Sequence, residues 1–337
     1  MSERPKLKTV ADAAGVSTAT VSQVLRGSGR ISERTRKQVL DAAHRVNYVA
    51  DGRAASMRSG QIKEVGMLIH QIANPFNAEV ISGVSDLLET QGYLVAVLDS
   101  RDDPIRQRRQ LEALLRNARG GLLWVPARDT PPETYALLAT QKVPTVTFLR
   151  RGMSQAFDHV GILNFEATFD ATNLLADLGH RYIAYLGGEA DVESRLARVR
   201  GYTAALADRH LAPPLIWRCP DTKSAGLEHV LSLRREHPEV TAVVCNGDMV
   251  ALGASLGLQR VGETPGNQLS IIGFDDVEDA RLATPPLTTI SIAPYELGRR
   301  LARTLLDRVK DPTMPVADVM IAARLIQRGT TGPPPQG

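Results

Sequence analysis

Over the first fifty positions, apolar residues recur at helical spacing. Val10, Ala13, Val16, Val21, Val24 and Leu25 give each of two short helices one face to bury. Thr9, three residues before Asp12, reads as the N-cap of the first helix, with an acid in its first turn. Gly15 supplies a tight turn, and Ser17 opens the second helix at once. Ser32 caps a third helix running to about Asn47, with Val39, Leu40, Ala43 and Val46 as its inner face. Two short helices joined by a Gly-containing turn form a helix-turn-helix, whose second helix is shaped to enter the DNA major groove.

From Glu64 the pattern changes. Strand-like runs at Val65–His70, Leu94–Asp99, Gly121–Val125, Thr145–Leu149, Tyr182–Leu186, Thr241–Cys245 and Ser270–Phe274 alternate with helical stretches. The helical stretches lie near Phe76–Glu89, Ile105–Arg116, Glu133–Gln141, Ala167–Leu178, Leu196–Asp208, Gly226–Arg235 and Met249–Val261. Such alternation predicts parallel sheets covered by helices on both faces. At 337 residues, a small all-α head followed by an α/β body of two doubly wound lobes fits usual domain sizes. Ligands of such folds bind at the carboxyl ends of the strands, here in a cleft between lobes. Residues just past strand ends are therefore placed to line it: Phe76, Asn77, Ser194, Arg198, Asp248 and Asp275. They combine an aromatic face, carboxylates that accept from hydroxyls, and a guanidinium that donates in a fixed fork.

Charge separates the two ends. Residues 1–60 hold 11 Lys and Arg against 5 Asp and Glu, a balance of +6; the whole chain is +3, leaving −3 for the rest. A basic head on a slightly acidic body suits a phosphate-binding module joined to a soluble domain. The two cysteines, Cys219 and Cys245, lie near apolar runs and read as buried free thiols of a reducing compartment. With no apolar signal core and no run near the roughly 20 residues of a membrane span, a cytoplasmic protein is expected, with no membrane partner. No phosphate-cradling loop, nucleophile elbow or zinc-helix motif occurs, the seven histidines are scattered, and His180 reads as a surface or capping residue. Neither an enzyme nor a cofactor or metal site is expected.

Several motifs resemble the lactose/galactose-repressor family of transcriptional regulators, from about Lys6 to Arg328. They are Val10-Ala11 through Ala14-Gly15-Val16-Ser17 to Thr20-Val21-Ser22, then Arg30-Ile31-Ser32, Asn74-Pro75-Phe76, Leu178-Gly179-His180-Arg181, Gly273-Phe274-Asp275-Asp276 and Pro286-Leu287-Thr288-Thr289. Arg30-Ile31-Ser32, Ala242–Cys245 and Ala323–Ile326 most resemble its maltose-regulon repressor subgroup. The resemblance implies a head over 1–50, a hinge helix and linker over 51–61, and a periplasmic-binding-protein-like body over 62–330. The chain would cross between lobes near 161, 291 and 319. That gives lobe 1 residues 62–161 and 292–319 and lobe 2 residues 162–290 and 320–330, before a loose Gly- and Pro-rich tail, 331–337.

In such a protein Thr18, Ala19 and Gln23 occupy base-reading positions, where Gln pairs with adenine and the methyl groups meet thymine. Ser17, Thr20, Ser22, Ser32 and Tyr48 would contact phosphates. In the hinge, Ala54 and Met57 would meet the minor groove, Met57 as a wedge. Arg198 and Asp275 match the family's ligand-contacting positions. Three departures stand out: Gly247 replaces a customary Asn, Asp221 an aromatic, and a leucine-heptad tail is missing. A homodimer is therefore expected, held mainly by lobe 1 through Phe76–Glu89 and Tyr295–Arg308. The expected function is repression at a palindromic operator, controlled by a small-molecule effector, a sugar or sugar derivative, held between the lobes, with Arg150-Arg151 leaving a phosphorylated or acidic ligand open. The second reading is an architectural DNA binder whose body is a dimerisation scaffold.

Overall fold

The computed structural model describes residues 5–49, 63–116, 120–188 and 192–335. The chain divides into two compact units between Ile62 and Lys63. In the head, α1 (Leu7–Ala14), α2 (Thr18–Leu25) and α3 (Glu33–Arg45) enclose a core of Val10, Ala11, Ala14, Val21, Val24, Val39, Ala42 and Ala43. Thr9 is not the first cap. Lys6 holds that place, and Thr9 stands at N3, its hydroxyl accepting from the Lys6 backbone N–H at 3.1 Å. Ala13 and Leu40 face outward, while Ala11 and Ala42 join Val10, Val39 and Ala43 on the buried faces.

The body follows the chain in four segments. The first is β1 (Glu64–Ile69), α4 (Pro75–Thr90), β2 (Leu94–Asp99), α5 (Pro104–Arg116), β3 (Gly121–Trp124), α6 (Pro132–Gln141), β4 (Thr145–Phe148) and β5 (Asp158–Ile162). The second is α7 (Asn164–Asp177), β6 (Ile183–Leu186), α8 (Glu193–Asp208), β7 (Leu215–Trp217) and α9 (Lys223–Glu236). It continues through β8 (Ala242–Cys245), α10 (Asp248–Arg260), β9 (Ser270–Asp275), α11 (Glu278–Leu282) and β10 (Thr288–Ser291). The chain then returns to lobe 1 for α12 (Pro294–Lys310) and β11 (Asp318–Ile321), and ends in lobe 2 with β12 (Arg324–Ile326).

Lobe 1 has the order β11-β5-β4-β3-β1-β2, all parallel; lobe 2 has β12-β10-β9-β8-β6-β7, parallel except for β12 at its edge. The crossings thus fall after Ile162, Ser291 and Ile321. The seven strands expected from apolar runs are present. Five more, β5, β7, β10, β11 and β12, are short or polar, and their side-chain pattern carries too little signal over three to five residues. Cys219 and Cys245 are buried and form no disulfide with each other, and no helix of the described residues is long and apolar enough to cross a membrane.

The C-terminal segment is not loose as far as it is hydrogen bonded. Thr330 is fully buried: its carbonyl accepts from Ile271 N at 2.8 Å and its hydroxyl from Thr288 N at 2.8 Å. Gly332 O lies 2.9 Å from Nε2 of His180, a buried residue rather than a surface cap. A carbonyl can only accept, so Nε2 carries the proton, and Nδ1 accepts from the Thr241 hydroxyl at 2.8 Å. These partners lie 61 and 152 residues away in sequence, which hides them from any local pattern.

His180→Ala should cost about 2–3 kcal/mol by stranding the Thr241 and Gly332 groups. Burial lowers the His180 pKa, so below pH 6.5 the unfolded chain binds a proton that the folded chain refuses. The stability from neutral His180 is therefore present above pH 6.5 and declines below it. In urea unfolding at pH 7.5 and 5.5, the gap between wild type and His180→Ala should narrow at the lower pH; a constant gap would contradict this role.

Candidate DNA-reading helix and interlobe cleft

Ser17 starts α2 by accepting from Thr20 N at 3.1 Å, and Ser32 starts α3 by accepting from Thr35 N at 3.2 Å. Both caps satisfy donors that a helix start leaves open. Val21 and Val24 anchor the inner side of α2, leaving Thr18, Ala19 and Gln23 exposed. Ser17 and Ser32 are also exposed, Thr20 and Ser22 half-buried, and the half-buried Tyr48 packs on the head core. The head thus presents three side chains able to meet base edges, beside hydroxyls placed near a helix start. Ala54 and Met57 lie outside the described residues.

In the body, strand ends from both lobes converge on a cleft of about 440 Å³. Phe76, Ser194, Arg198 and Asp275 line it. Its lobe 2 wall is organised by Arg198 on α8. Nε donates to Asn164 Oδ1 at 2.8 Å, Nη1 donates to the Asn246 carbonyl, and the guanidinium lies 3.4 Å from the centre of the Phe274 ring. One side chain therefore ties the start of α7, the end of β8 and the end of β9. Asn246 in turn accepts from Tyr185 Oη at 2.7 Å and donates through Nδ2 to Asp221, 3.0 and 2.9 Å from its oxygens. Gly188 N also donates to Asp221, at 3.1 Å. Burial nevertheless raises the Asp221 pKa, against these donors and Arg198.

Asp275 ends β9 with φ 121°, a left-handed region that L-residues rarely adopt, and its carboxyl is buried. Burial pushes it up to about 7 despite the Arg198 charge. Gly247, with extended backbone, leaves its side open: a Cβ there would lie 3.5 Å from Asp275 Oδ2.

The lobe 1 wall contains Asp99, Arg101, Asp102 and Arg150, from the ends of β2 and β4. Arg150 Nη1 pairs with Asp102 Oδ1 at 2.5 Å, and Arg128 N donates to the same oxygen at 3.1 Å. Although burial opposes it, Arg150 draws the Asp102 pKa below its ordinary value. His70, at the end of β1, is lowered to about 4 by burial and then by Arg150, and stays neutral. Arg151 pairs with Asp318, and its backbone N–H donates to Glu193 Oε2 of lobe 2 at 2.9 Å. Both arginines that suggested an anionic ligand are thus engaged within the protein.

Two expected cleft residues are not at its surface. Asn77 is fully buried and donates to Gln71 O at 2.7 Å, shaping the turn before α4. Asp248 is fully buried, accepting from Val277 N at 3.0 Å and the Thr289 hydroxyl at 2.5 Å. It braces the turn after Asp275. Both sit in the first turn of a helix, where the side chain turns back into the lobe. The strand-end rule, applied to β2 and β4, would have found Asp102 and Arg150; nothing local signals the Asn164 and Asn246 contacts, which span 34 and 48 residues.

Residues 6–51 match the model of bacterial regulatory proteins of the lacI family, and residues 172–331 match a periplasmic binding protein-like domain. The chain is similar to the maltose regulon regulatory protein MalI of Escherichia coli K12, 30% identical over 328 residues, covering 94% of this chain and 96% of that protein. It is also similar to the HTH-type transcriptional repressor PurR of Aliivibrio fischeri MJ11, 32% identical over 312 residues, covering 90% and 92%. Among solved structures, a complex of the transcriptional regulator CelR with cellobiose superposes with a TM-score of 0.73 at 28% identity, over 97% of this chain and 100% of that one. A helix-turn-helix head, two parallel-sheet lobes and full-length likeness to repressors lead to one conclusion: the chain belongs to the lacI family of bacterial regulatory proteins, DNA-binding transcriptional repressors.

Proposed function

We propose that this protein is a homodimeric repressor of a palindromic operator, controlled by a small polyhydroxylated metabolite held between its lobes. The observation that carries the reading is the cleft: about 440 Å³, lined from both lobes by charged groups, with the buried Asp275 held in a strained backbone conformation. A body serving only as a scaffold has no need of such a site, and strain at a cleft marks function more often than packing. The cellobiose bound to CelR supports a sugar-like ligand. The engagement of Arg150 and Arg151 within the protein weighs against a phosphorylated one.

Thr18, Ala19 and Gln23 read bases in this proposal, with Ser17, Thr20, Ser22, Ser32 and Tyr48 on phosphates. Residues 51–61 form the hinge, with Ala54 and Met57 in the minor groove. A head reads too few base pairs to select a genomic site, so two act together, joined through α4 and α12 of lobe 1. A ligand that favours one lobe arrangement shifts the dimer between operator-binding and released populations.

Gln23→Ala should relax one base position by about 1–3 kcal/mol; selection on random DNA reads this directly, and an unchanged preference would refute the assignment. Sedimentation of the full chain at micromolar concentration should give a dimer, and a monomer would argue against the palindrome reading. Metabolite screening by thermal shift should yield a compound that raises the melting temperature. Asp275→Ala should abolish that compound's effect on operator release while leaving ligand-free DNA binding near normal, and a wild-type response would rule out the site.

A further inference from the structure

The turn between α2 and α3 holds two glycines in the left-handed region, Gly27 at φ 65° and Gly29 at φ 85°. Backbone hydrogen bonds shape it: Gly27 N donates to Val24 O at 3.0 Å, Ser28 N to Gln23 O at 3.0 Å and Ile31 N to Gly29 O at 3.2 Å. Left-handed backbone accounts for a glycine at both places, but their surroundings differ. A Cβ at Gly27 would meet no heavy atom within 4 Å. One at Gly29 would lie 3.1 Å from Oε1 of Gln23, 3.2 Å from its Cδ and 3.6 Å from its Cγ. The outer half of the Gln23 side chain therefore runs along the bare backbone of Gly29.

This contact bears on recognition. Gln23 is exposed on the outer side of α2, opposite the buried Val21 and Val24. A Gln that reads adenine must present both ends of its amide edge-on to one base. A long side chain with several rotatable bonds meets that demand at an entropic cost, which falls when its surroundings already confine it. The α2 backbone fixes where the Gln23 side chain starts, and the turn limits where its amide can go. Any side chain at position 29 would crowd Oε1 and Cδ and push the amide to another direction.

Resting on the reading of Gln23 as a base-reading residue, we propose that Gly29 is a positioning residue for sequence recognition. Its missing side chain sets the direction of the Gln23 amide, so the preference at one base position belongs to the pair and not to Gln23 alone. Gly27 shares the turn and the left-handed backbone but not the contact, and so separates the two effects.

The test is selection on random DNA with the full-length protein. Asn tolerates left-handed backbone better than most residues, so Gly29→Asn and Gly27→Asn each add a side chain to the turn at modest strain. They are compared with wild type, Gln23→Ala and the double variant Gln23→Ala/Gly29→Asn. Gly29→Asn should change the preference at the position that Gln23→Ala changes, by about fivefold or more, and leave the other positions as in wild type. Gly27→Asn should leave the preference unaltered throughout. In the Gln23→Ala background Gly29→Asn should bring no further change, as two residues acting through one contact require. Should Gly29→Asn bind no DNA, the same comparison is made with Gly29→Ala, which adds only the Cβ. A wild-type preference in the Gly29 variants beside an altered one in Gln23→Ala would overturn the positioning role and leave Gln23 a base reader. Weakening on all sequences alike would overturn it too, because a disturbed turn does that without involving Gln23. If Gln23→Ala itself kept the wild-type preference, the base-reading assignment and the positioning role would both fall.

Discussion

The lobe 2 wall of the cleft depends on one guanidinium. Arg198 meets Asn164 at the start of α7, just past the first lobe crossing, the Asn246 carbonyl at the end of β8, and the Phe274 ring at the end of β9. A cation over an aromatic face, with its N–H groups held by amide oxygens, has its orientation fixed on three sides. Arg198 therefore does two things at once. It fixes the relative positions of three strand and helix ends, and it sets the electrostatic field in which Asp221 and Asp275 lie.

The departures from the family's usual residues belong together in this setting. Asp221, where an aromatic is customary, is held by Asn246 and by Gly188 N, and Asn246 is itself oriented by Tyr185. Gly247, where Asn is customary, withdraws a side chain from beside Asp275. The result is a wall of carboxyl groups instead of a stacking platform. Buried carboxyl groups cost stability unless donors meet them, and here Asp221 is met by the protein and Asp275 is not.

Close helix packing keeps the lobes rigid enough to hold such a wall. A Cβ at Gly83 or Gly298 would fall 2.0 or 2.1 Å from a carbonyl of the opposite helix, where α4 crosses α12. Gly201 plays the same part between α7 and α8, as do Gly226 and Gly253 between α9 and α10. Backbones in such close contact resist gradual deformation, so a ligand acts by choosing between lobe arrangements rather than by bending a lobe. His180 serves the same rigidity from the other end of lobe 2, joining Thr241 to the C-terminal segment at Gly332.

The sequence by itself determined what repeats within a short window. Helical spacing and the Ser17 and Ser32 caps placed the head, and apolar runs of four to six residues placed seven of twelve strands. The rule that ligands lie past strand ends brought Phe76, Ser194, Arg198 and Asp275 to one cleft. Tertiary structure decided the rest. Whether a carboxyl one residue into a helix faces the cleft or the core depends on partners elsewhere, so Asp248 went to Val277 and Thr289 while Asp275 kept an open face. The same holds for the polar short strands and for His180, whose partners stand 61 and 152 residues away. Periodicity records burial on one element, whereas the satisfaction of a buried polar group is settled between elements, and only the folded chain brings those together.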